Sequence, residues 1–229
     1  MFLGHFAVAL GAKQVAPAIS LGMLFLACQL ADLIWPLLVL GGIEHVAIDP
    51  GNTAFTPLAF ISYPYSHSFT ALAGWGLIAA FAYSLYRRDR GSAVAIVLVV
   101  LSHWVLDVVS HRPDVPITIG GATRLGLGLW NSVLGTVVVE AAMFAAGIWI
   151  YLRATIARDR TGTVAFWALV GTLVAINIAN IFSPPPPSAE AVAIAAEAMW
   201  LFVLWAFWID RHRTLKNAIE AERAWTNPR

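Results

Sequence analysis

Residues 92–111 read SAVAIVLVVLSHWVLDVVSH, a run with one acid, Asp107, and no lysine or arginine. About 20 mainly apolar residues are enough for a helix to cross the roughly 30 Å hydrocarbon core of a bilayer. The same run places His103, Asp107 and His111 four residues apart, so all three lie near one face of a helix. This stretch therefore predicts a membrane-spanning helix with a polar face.

The composition of the whole chain also indicates a bilayer environment. Of the 229 residues, 59% are hydrophobic and 12% are charged, whereas soluble domains have about 45–50% apolar and about 25% charged residues. The net charge of +1 lacks the basic excess of a nucleic-acid-binding surface, so we expect no nucleic-acid partner. The single cysteine, Cys28, excludes a disulfide framework and a thiolate metal site.

Further apolar runs extend the prediction to a complete bundle. Residues 1–16 are apolar but too short to cross, and they lack the basic start and cleavage site of a secretory signal. We therefore predict an all-α, polytopic membrane bundle of six transmembrane helices plus a short N-terminal half-membrane helix, in one domain over residues 1–210. The predicted spans are residues 20–42, 67–86, 92–111, 129–152, 163–182 and 189–209.

The distribution of cations predicts the orientation. Twelve of the fourteen lysines and arginines fall on one side of the predicted spans, and only Arg112 and Arg124 fall on the other. Loops rich in lysine and arginine stay in the cytoplasm, so we expect both termini there. The tail, residues 211–229, is predicted to be a short solvated cytoplasmic helix. The sequence leaves the oligomeric state open.

Ionisable residues inside spans are costly and usually mark functional sites. His103 and Asp32 each lie twelve residues from the cytoplasmic end of their span, and His5 lies eight residues from Lys13. At 1.5 Å per residue, these three side chains lie about 12–18 Å from the inner boundary and can converge. Imidazole and carboxylate groups suit zinc and related divalent metals.

The predicted pocket continues outward from this level. Asp107 and His111 follow His103 towards the outer side, and His67 opens the second span from its outer end. Arg112 and Arg124 would lie at the mouth, where they could meet an anionic substrate. Each histidine can instead be explained by a hydrogen bond to a neighbouring helix.

Other polar residues are given structural roles. For Glu140 and Glu197 we favour hydrogen bonds inside the bundle over a role in proton transfer or in supporting the metal ligands, and we expect Asn177 and Asn180 to bond between helices. Three residues of the first outer loop are expected to be solvated, and several tryptophans near span ends suit an aromatic belt. These residues are Glu44, His45 and Asp49 in the loop, and Trp35, Trp130, Trp149, Trp200, Trp205 and Trp208 in the belt.

The motifs of residues 1–115 resemble those of bacterial inner-membrane, metal-dependent hydrolases known as LexA-regulated membrane hydrolases. That family is distantly similar to zinc-dependent phospholipase C and P1 nuclease. The second half of the chain carries none of the resemblance. The motifs are Gly4-His5, Asp32, Ser66-His67-Ser68 and Ser102-His103 with Asp107 and His111.

The resemblance implies a metal site and a location in the bacterial inner membrane. Asp32, His67, His103 and Asp107 would surround a first metal, and Asp107 would bridge to a second ion held by His5. His111 would correspond to the ligand that follows the HxxxD pair. Because no clear later HxxxE pair is present, the resemblance implies one or two ions, of zinc, and not three.

The leading functional hypothesis is a membrane hydrolase that cleaves a phosphoester or another ester of a lipid or envelope-derived substrate on the periplasmic side. Asp107 or Asp32 would orient the attacking water, and Arg112 would hold the anionic group. The first alternative is a transporter or channel that moves protons or metal ions along the His/Asp line. The second alternative is a non-catalytic membrane scaffold.

Overall fold

The computed structural model describes residues 1–216, and these residues are mostly helical. The helices within the described residues are α1 (Leu3–Val15), α2 (Leu21–Cys28), α3 (Leu30–Leu40), α4 (Pro64–His67), α5 (Phe69–Tyr86), α6 (Arg90–Ser110), α7 (Val133–Ala154), α8 (Arg160–Phe182), α9 (Ala189–Ala196) and α10 (Met199–His212). The predicted helical bundle is confirmed at this level.

Five segments of residues 1–216 are long and apolar enough to cross a bilayer: α5, α6, α7, α8 and the continuous stretch Ala189–His212. The predicted span 20–42 is instead two helices, α2 and α3, that meet at a bend of 51°. The bend lies at Cys28 and Gln29, both buried. Non-helical backbone at membrane depth is tolerated where protein surrounds it, because its polar groups then find partners.

Short antiparallel strand pairs lie outside the long spans. The strands of residues 1–216 pair antiparallel in three two-stranded sheets. They are β1 (His45–Ile48) with β2 (Leu58–Ser62), β3 (Val115–Pro116) with β4 (Arg124–Leu125), and β5 (Thr155–Ala157) with β6 (Arg213–Leu215). The hairpin β1–β2 lies in the first predicted outer loop and shapes the site described below.

The β5–β6 strand pair corrects part of the predicted tail. Helix α10 continues to His212, and β6 then pairs with β5. Arg213 is buried and donates to the Thr155 hydroxyl and the Gly162 carbonyl, so this part of the tail is packed and not solvated. The rest of the predicted tail, residues 217–229, lies outside the described residues.

Helix α1 lies at the centre of the bundle, packed against α2, α6 and α7. At 1.5 Å per residue it is about 20 Å long, which is shorter than a bilayer core. Gly147 of α7 lets α1 approach closely, because a Cβ there would lie 2.6 Å from the Ala7 carbonyl oxygen. Small residues at helix contacts allow such close packing in membranes.

The first residue of the chain lies inside the bundle: Met1 is buried, and its amino nitrogen lies 3.0 Å from Asp107 Oδ1. Helix α1 runs from there towards Lys13, which lines a cavity with Arg87, Arg158 and Arg213. The predicted grouping of these cations at one end is present, and we call it the basic end.

Candidate metal centre

The structure brings together all six residues predicted as metal ligands. They come from four helices and the residue after α6: His5 on α1, Asp32 on α3, His67 on α4, His103 and Asp107 on α6, and His111. We call these six residues the His/Asp cluster. All are buried except Asp32, whose side chain is 33% exposed. Helix α6 and the residue after it supply three of them, because the spacing of four keeps them near one buried face.

Asp107 is the centre of the His/Asp cluster, because its two oxygens face different partners. Oδ1 lies 3.2 Å from His5 Nε2 and 3.9 Å from His111 Nε2. Oδ2 lies 3.2 Å from His103 Nε2 and 3.8 Å from His67 Nε2. A carboxylate with this arrangement can bridge two ions.

Asp32 completes the Oδ2 side of the His/Asp cluster. Its Oδ1 lies 3.3 Å from His67 Nε2 and 3.8 Å from His103 Nε2. Two adjacent sets of ligand atoms result, His5–His103–Asp107 and Asp32–His67–His103, and within each set the atoms lie within 4.8 Å of one another. Either set can contribute three ligands to one ion.

The hydrogen bond of His103 Nδ1 determines the protonation of the second ring nitrogen, Nε2, which faces the cluster. Nδ1 lies 2.7 Å from the Cys28 carbonyl oxygen, which can only accept, so Nδ1 carries the proton of the neutral ring. Nε2 then directs a lone pair at the carboxylates of Asp32 and Asp107. That contact is repulsive unless a proton or a cation lies between the atoms. The bend between α2 and α3 places the Cys28 carbonyl at this position.

His67 is held by a chain of hydrogen bonds that the sequence did not predict. Its Nδ1 lies 2.7 Å from the Ser66 hydroxyl, which donates to Glu44 Oε2 at 2.5 Å. Glu44 Oε1 accepts from the backbone N–H groups of Tyr65 and Ser66. Glu44 is fully buried, so the predicted solvated role for it is wrong, whereas His45 and Asp49 are exposed as expected.

His111 is oriented by Asp114, which sequence reasoning also missed. Its Nδ1 lies 3.0 Å from Asp114 Oδ1, and the same oxygen accepts from the Tyr63 hydroxyl at 2.8 Å. Burial and the Asp114 carboxylate raise the pKa of Tyr63 well above its ordinary value, so this hydroxyl is a donor at neutral pH. Trp130, expected in an aromatic belt, instead packs on the His111 ring with centroids 4.1 Å apart.

Arg112 does not join the His/Asp cluster. Its side chain is 41% exposed, and its Nε lies 3.3 Å from Asp114 Oδ2. Arg124 donates to the backbone carbonyls of Ile61 and Asp114. Neither arginine is among the residues that line the cavity next to the cluster. The structure thus brings Asp107 and Asp32 together and leaves the third predicted catalytic residue outside.

The interior acids differ from one another. Glu140 is fully buried and accepts from the N–H groups of Phe2, at 3.2 Å, and Leu3, at 2.5 Å, so its predicted interior hydrogen bonding is present. It thereby fixes the start of α1, two residues before His5. Glu197 Oε1 and Asn177 Oδ1 are buried without a partner among residues 1–216, contrary to the expected bonding.

The donor set of the His/Asp cluster fits a divalent metal. Four imidazole Nε2 atoms and two carboxylates converge, and neutral imidazole with carboxylate is the ligand chemistry of zinc and related ions. Three of the four rings direct Nδ1 at an oxygen, as metal-binding histidines do. His5 Nδ1 has no partner within residues 1–216.

Comparison with known proteins found no match to a family model, a curated protein or a solved structure. The functional conclusion therefore depends on the geometry of the site and on the motifs of the sequence.

Proposed function

We propose that this chain is an integral membrane, metal-dependent hydrolase that cleaves a phosphoester or another ester in a lipid or envelope-derived substrate. The observation that carries the proposal is the convergence of four Nε2 atoms on the carboxylates of Asp107 and Asp32, with Nδ1 of three rings turned outward to oxygens. Clustered titratable groups in a cavity are the usual sign of an active site. The resemblance to LexA-regulated membrane hydrolases supports the same activity.

The proposed topology has six crossings, the five long segments plus the bent pair α2–α3, with α1 as a half-membrane helix. The basic end would lie in the cytoplasm of a bacterial inner membrane. The His/Asp cluster would then open to the periplasmic side. Residues 217–229 would be cytoplasmic.

Zinc or a similar ion, when bound, lowers the pKa of water towards about 7 and polarises an ester or phosphoester bond. The residues of this chain would supply the ligands, a proton acceptor and the groups that fix the ligand rings. Asp107 faces four imidazoles with its two oxygens, and Asp32, the most exposed member of the cluster, lines the cavity and can accept a proton from water. The Glu44–Ser66 pair and Asp114 fix the rings of His67 and His111.

The residues between the His/Asp cluster and the basic end are apolar, which favours a closed pocket over a path for ions. On the buried face of α6, Ile96 and Val100 precede His103 towards the basic end, and both are fully buried. Phe6 of α1 and Phe25 of α2 pack in the same core. A transporter or channel would need polar groups to continue through this level.

The test is reconstitution with metal. Protein stripped by a chelator should hydrolyse neither bis-(p-nitrophenyl) phosphate nor p-nitrophenyl butyrate, and added Zn²⁺ or Mn²⁺ should restore turnover of one of them. His103→Ala should abolish the recovery, and the matched control His45→Ala, which changes an exposed histidine on β1, should keep it. Metal binding without turnover in the wild type would favour the scaffold, and metal uptake into sealed vesicles would favour the transporter.

A further inference from the structure

A cavity of about 630 Å³ begins at the His/Asp cluster. Its volume lies within the roughly 300–1,000 Å³ of ligand pockets, so it holds much more than a metal ion and water. His5, Asp32, His67, Asp107 and His111 form one wall. Most of the remaining lining is apolar and includes Trp35, Phe60, Trp130, Val192, Met199 and Phe202.

The cavity reaches the surface between α8 and α9. The clearly exposed residues of its lining all come from the end of α8, the segment Ser183–Pro187 and the α9–α10 region, including Asn180, Ser183, Ala195 and Ala198. Helix α9 packs mainly on α3, and α8 packs mainly on α10, which leaves a gap between α8 and α9. The prolines that bridge the gap have no N–H groups to expose.

The surface around this opening is apolar. Phe182 and Ile178 of α8 are 81% and 50% exposed, and Ile194 of α9 and Leu201 of α10 are 58% and 62% exposed. All four belong to segments long and apolar enough to cross a bilayer. Such a patch is unfavourable in water and favourable against lipid chains, so the opening faces hydrocarbon.

The lining also argues against a highly charged soluble substrate. Among the described residues that line the cavity there is no lysine or arginine, and the carboxylates are those of Asp32 and Asp107. A chain that moves from the bilayer into this cavity exchanges one apolar environment for another, at little cost. Only its polar end needs new partners, and these lie at the His/Asp cluster.

We propose that the cavity is a subsite for the hydrocarbon chain of an amphiphilic substrate, which enters sideways from the bilayer between α8 and α9. The chain lies against α9 and the β1–β2 hairpin, and the ester or phosphate group reaches the His/Asp cluster. The role of the polar end depends on the proposed function, whereas the chain subsite depends on the cavity alone. The substrate class is therefore a lipid with an ester or phosphoester next to its chain.

The test uses photo-crosslinking of the purified protein in phosphatidylcholine nanodiscs. The probe is a phosphatidic acid with a diazirine in its acyl chain, and mass spectrometry locates the label. We expect label inside the cavity, on Trp35, Phe60 or Met199. Ala195→Trp should reduce this label by about tenfold, because the larger side chain removes contacts equivalent to a few methylene groups.

The matched control is Leu204→Trp, which changes an exposed residue of α10 that does not line the cavity. It should leave the interior label unchanged. Ala195→Leu, a milder change that tests the same position if the tryptophan variant does not fold, should give an intermediate reduction. Label confined to the outer surface, on residues such as Phe182, or equal interior label in both tryptophan variants, would overturn the proposal.

Metal content measured on the same samples separates the two proposals. Ala195→Trp should retain the metal of the wild type, because Ala195 offers no ligand atom. Interior label in a wild-type protein that binds no metal would support the subsite for the hydrocarbon chain and contradict the proposed hydrolase activity. Bound metal without interior label would leave the metal centre standing and remove the subsite.

Discussion

Helices α6 and α8 have similar lengths, 21 and 23 residues, and similar mean hydropathy, 2.2 and 1.9, but their buried faces differ. The buried face of α6 changes from apolar at Ile96 to polar at His103 and Asp107. The buried face of α8 stays apolar through Phe166 and Leu173 and ends at Asn177. Overall hydropathy therefore predicts that a helix crosses the membrane, whereas the few residues of its buried face determine whether it carries a site.

The two faces also organise their neighbours differently. Buried polar groups need specific partners, so His103 and Asp107 require His5, Asp32 and His67 to meet them at fixed positions. The apolar face of α8 needs only close packing, which many side chains can supply. The half of the chain up to His111 thus contains the His/Asp cluster. The half after it mainly contributes apolar helices that pack around it.

The largest effect is expected at the centre of the polar face. Asp107→Ala removes the carboxylate that faces four imidazoles, so metal affinity should fall by more than the roughly 10–100-fold that loss of an outer-shell partner causes. Titration with Zn²⁺ followed by calorimetry measures this. Retained affinity in this variant would show that the two faces do not differ in function.

The apolar face should respond in stability alone. Leu173→Ala should lower the free energy of unfolding by about 2–5 kcal/mol, because Leu173 is only 1% exposed in the core, and it should leave the metal content unchanged. Equilibrium unfolding in mixed detergent micelles measures the change, with the more exposed neighbour Val174→Ala as control. Loss of metal from folded Leu173→Ala protein would contradict the separation of roles.

A smaller effect is expected from the hydrogen-bond chain behind His67. Glu44→Gln keeps the size of the side chain but weakens its acceptance from Ser66, and metal affinity should fall by about 10–100-fold. Asp49→Asn changes an exposed acid next to the same hairpin and should have no effect. Equal affinities for the two variants would mean that Glu44 only stabilises the loop.

The smallest effect is expected at the basic end. The hydrogen bond from His212 lowers the pKa of the exposed Asp159 carboxyl, which also accepts from the Gly162 N–H at the start of α8. Because the folded-state pKa is below the unfolded one, this stabilisation is present above the ordinary aspartate pKa of about 3.9 and is lost as pH falls through the lowered value.

The thermal unfolding midpoint, measured from neutral to acidic pH, tests this contribution. Asp159→Asn still offers an N-cap oxygen to Gly162 but does not titrate, so its midpoint should depend less on pH than that of the wild type. Identical pH profiles for the two proteins would show that ionisation of Asp159 does not contribute to stability.

The helical bundle and the members of the His/Asp cluster could be predicted from sequence because both follow from spacing. Length and apolar runs predict long helices, and the interval of four residues puts His103, Asp107 and His111 on one face. Counting residues from the span ends placed Asp32 and His5 at the level of His103, and the structure brings the three together.

The partners behind the cluster could not be predicted, because they depend on how irregular segments fold. Glu44 follows a glycine pair in a loop, and only the β1–β2 hairpin and the turn into α4 return it to Ser66. The bend that presents the Cys28 carbonyl to His103 contains no proline, and Gln29 is the only polar residue there that could have indicated it. The position of Arg112 in the chain predicts it at the mouth of the pocket, but in the structure its side chain pairs with Asp114.

The most direct test of the account is the metal content of the wild-type protein, purified in detergent without a chelator and measured by elemental analysis. The account predicts about one or two equivalents of a transition metal per chain, because four imidazole nitrogens and two carboxylates converge close enough to share an ion. Less than about half an equivalent, in protein that remains folded and is offered Zn²⁺ during purification, would contradict the metal centre.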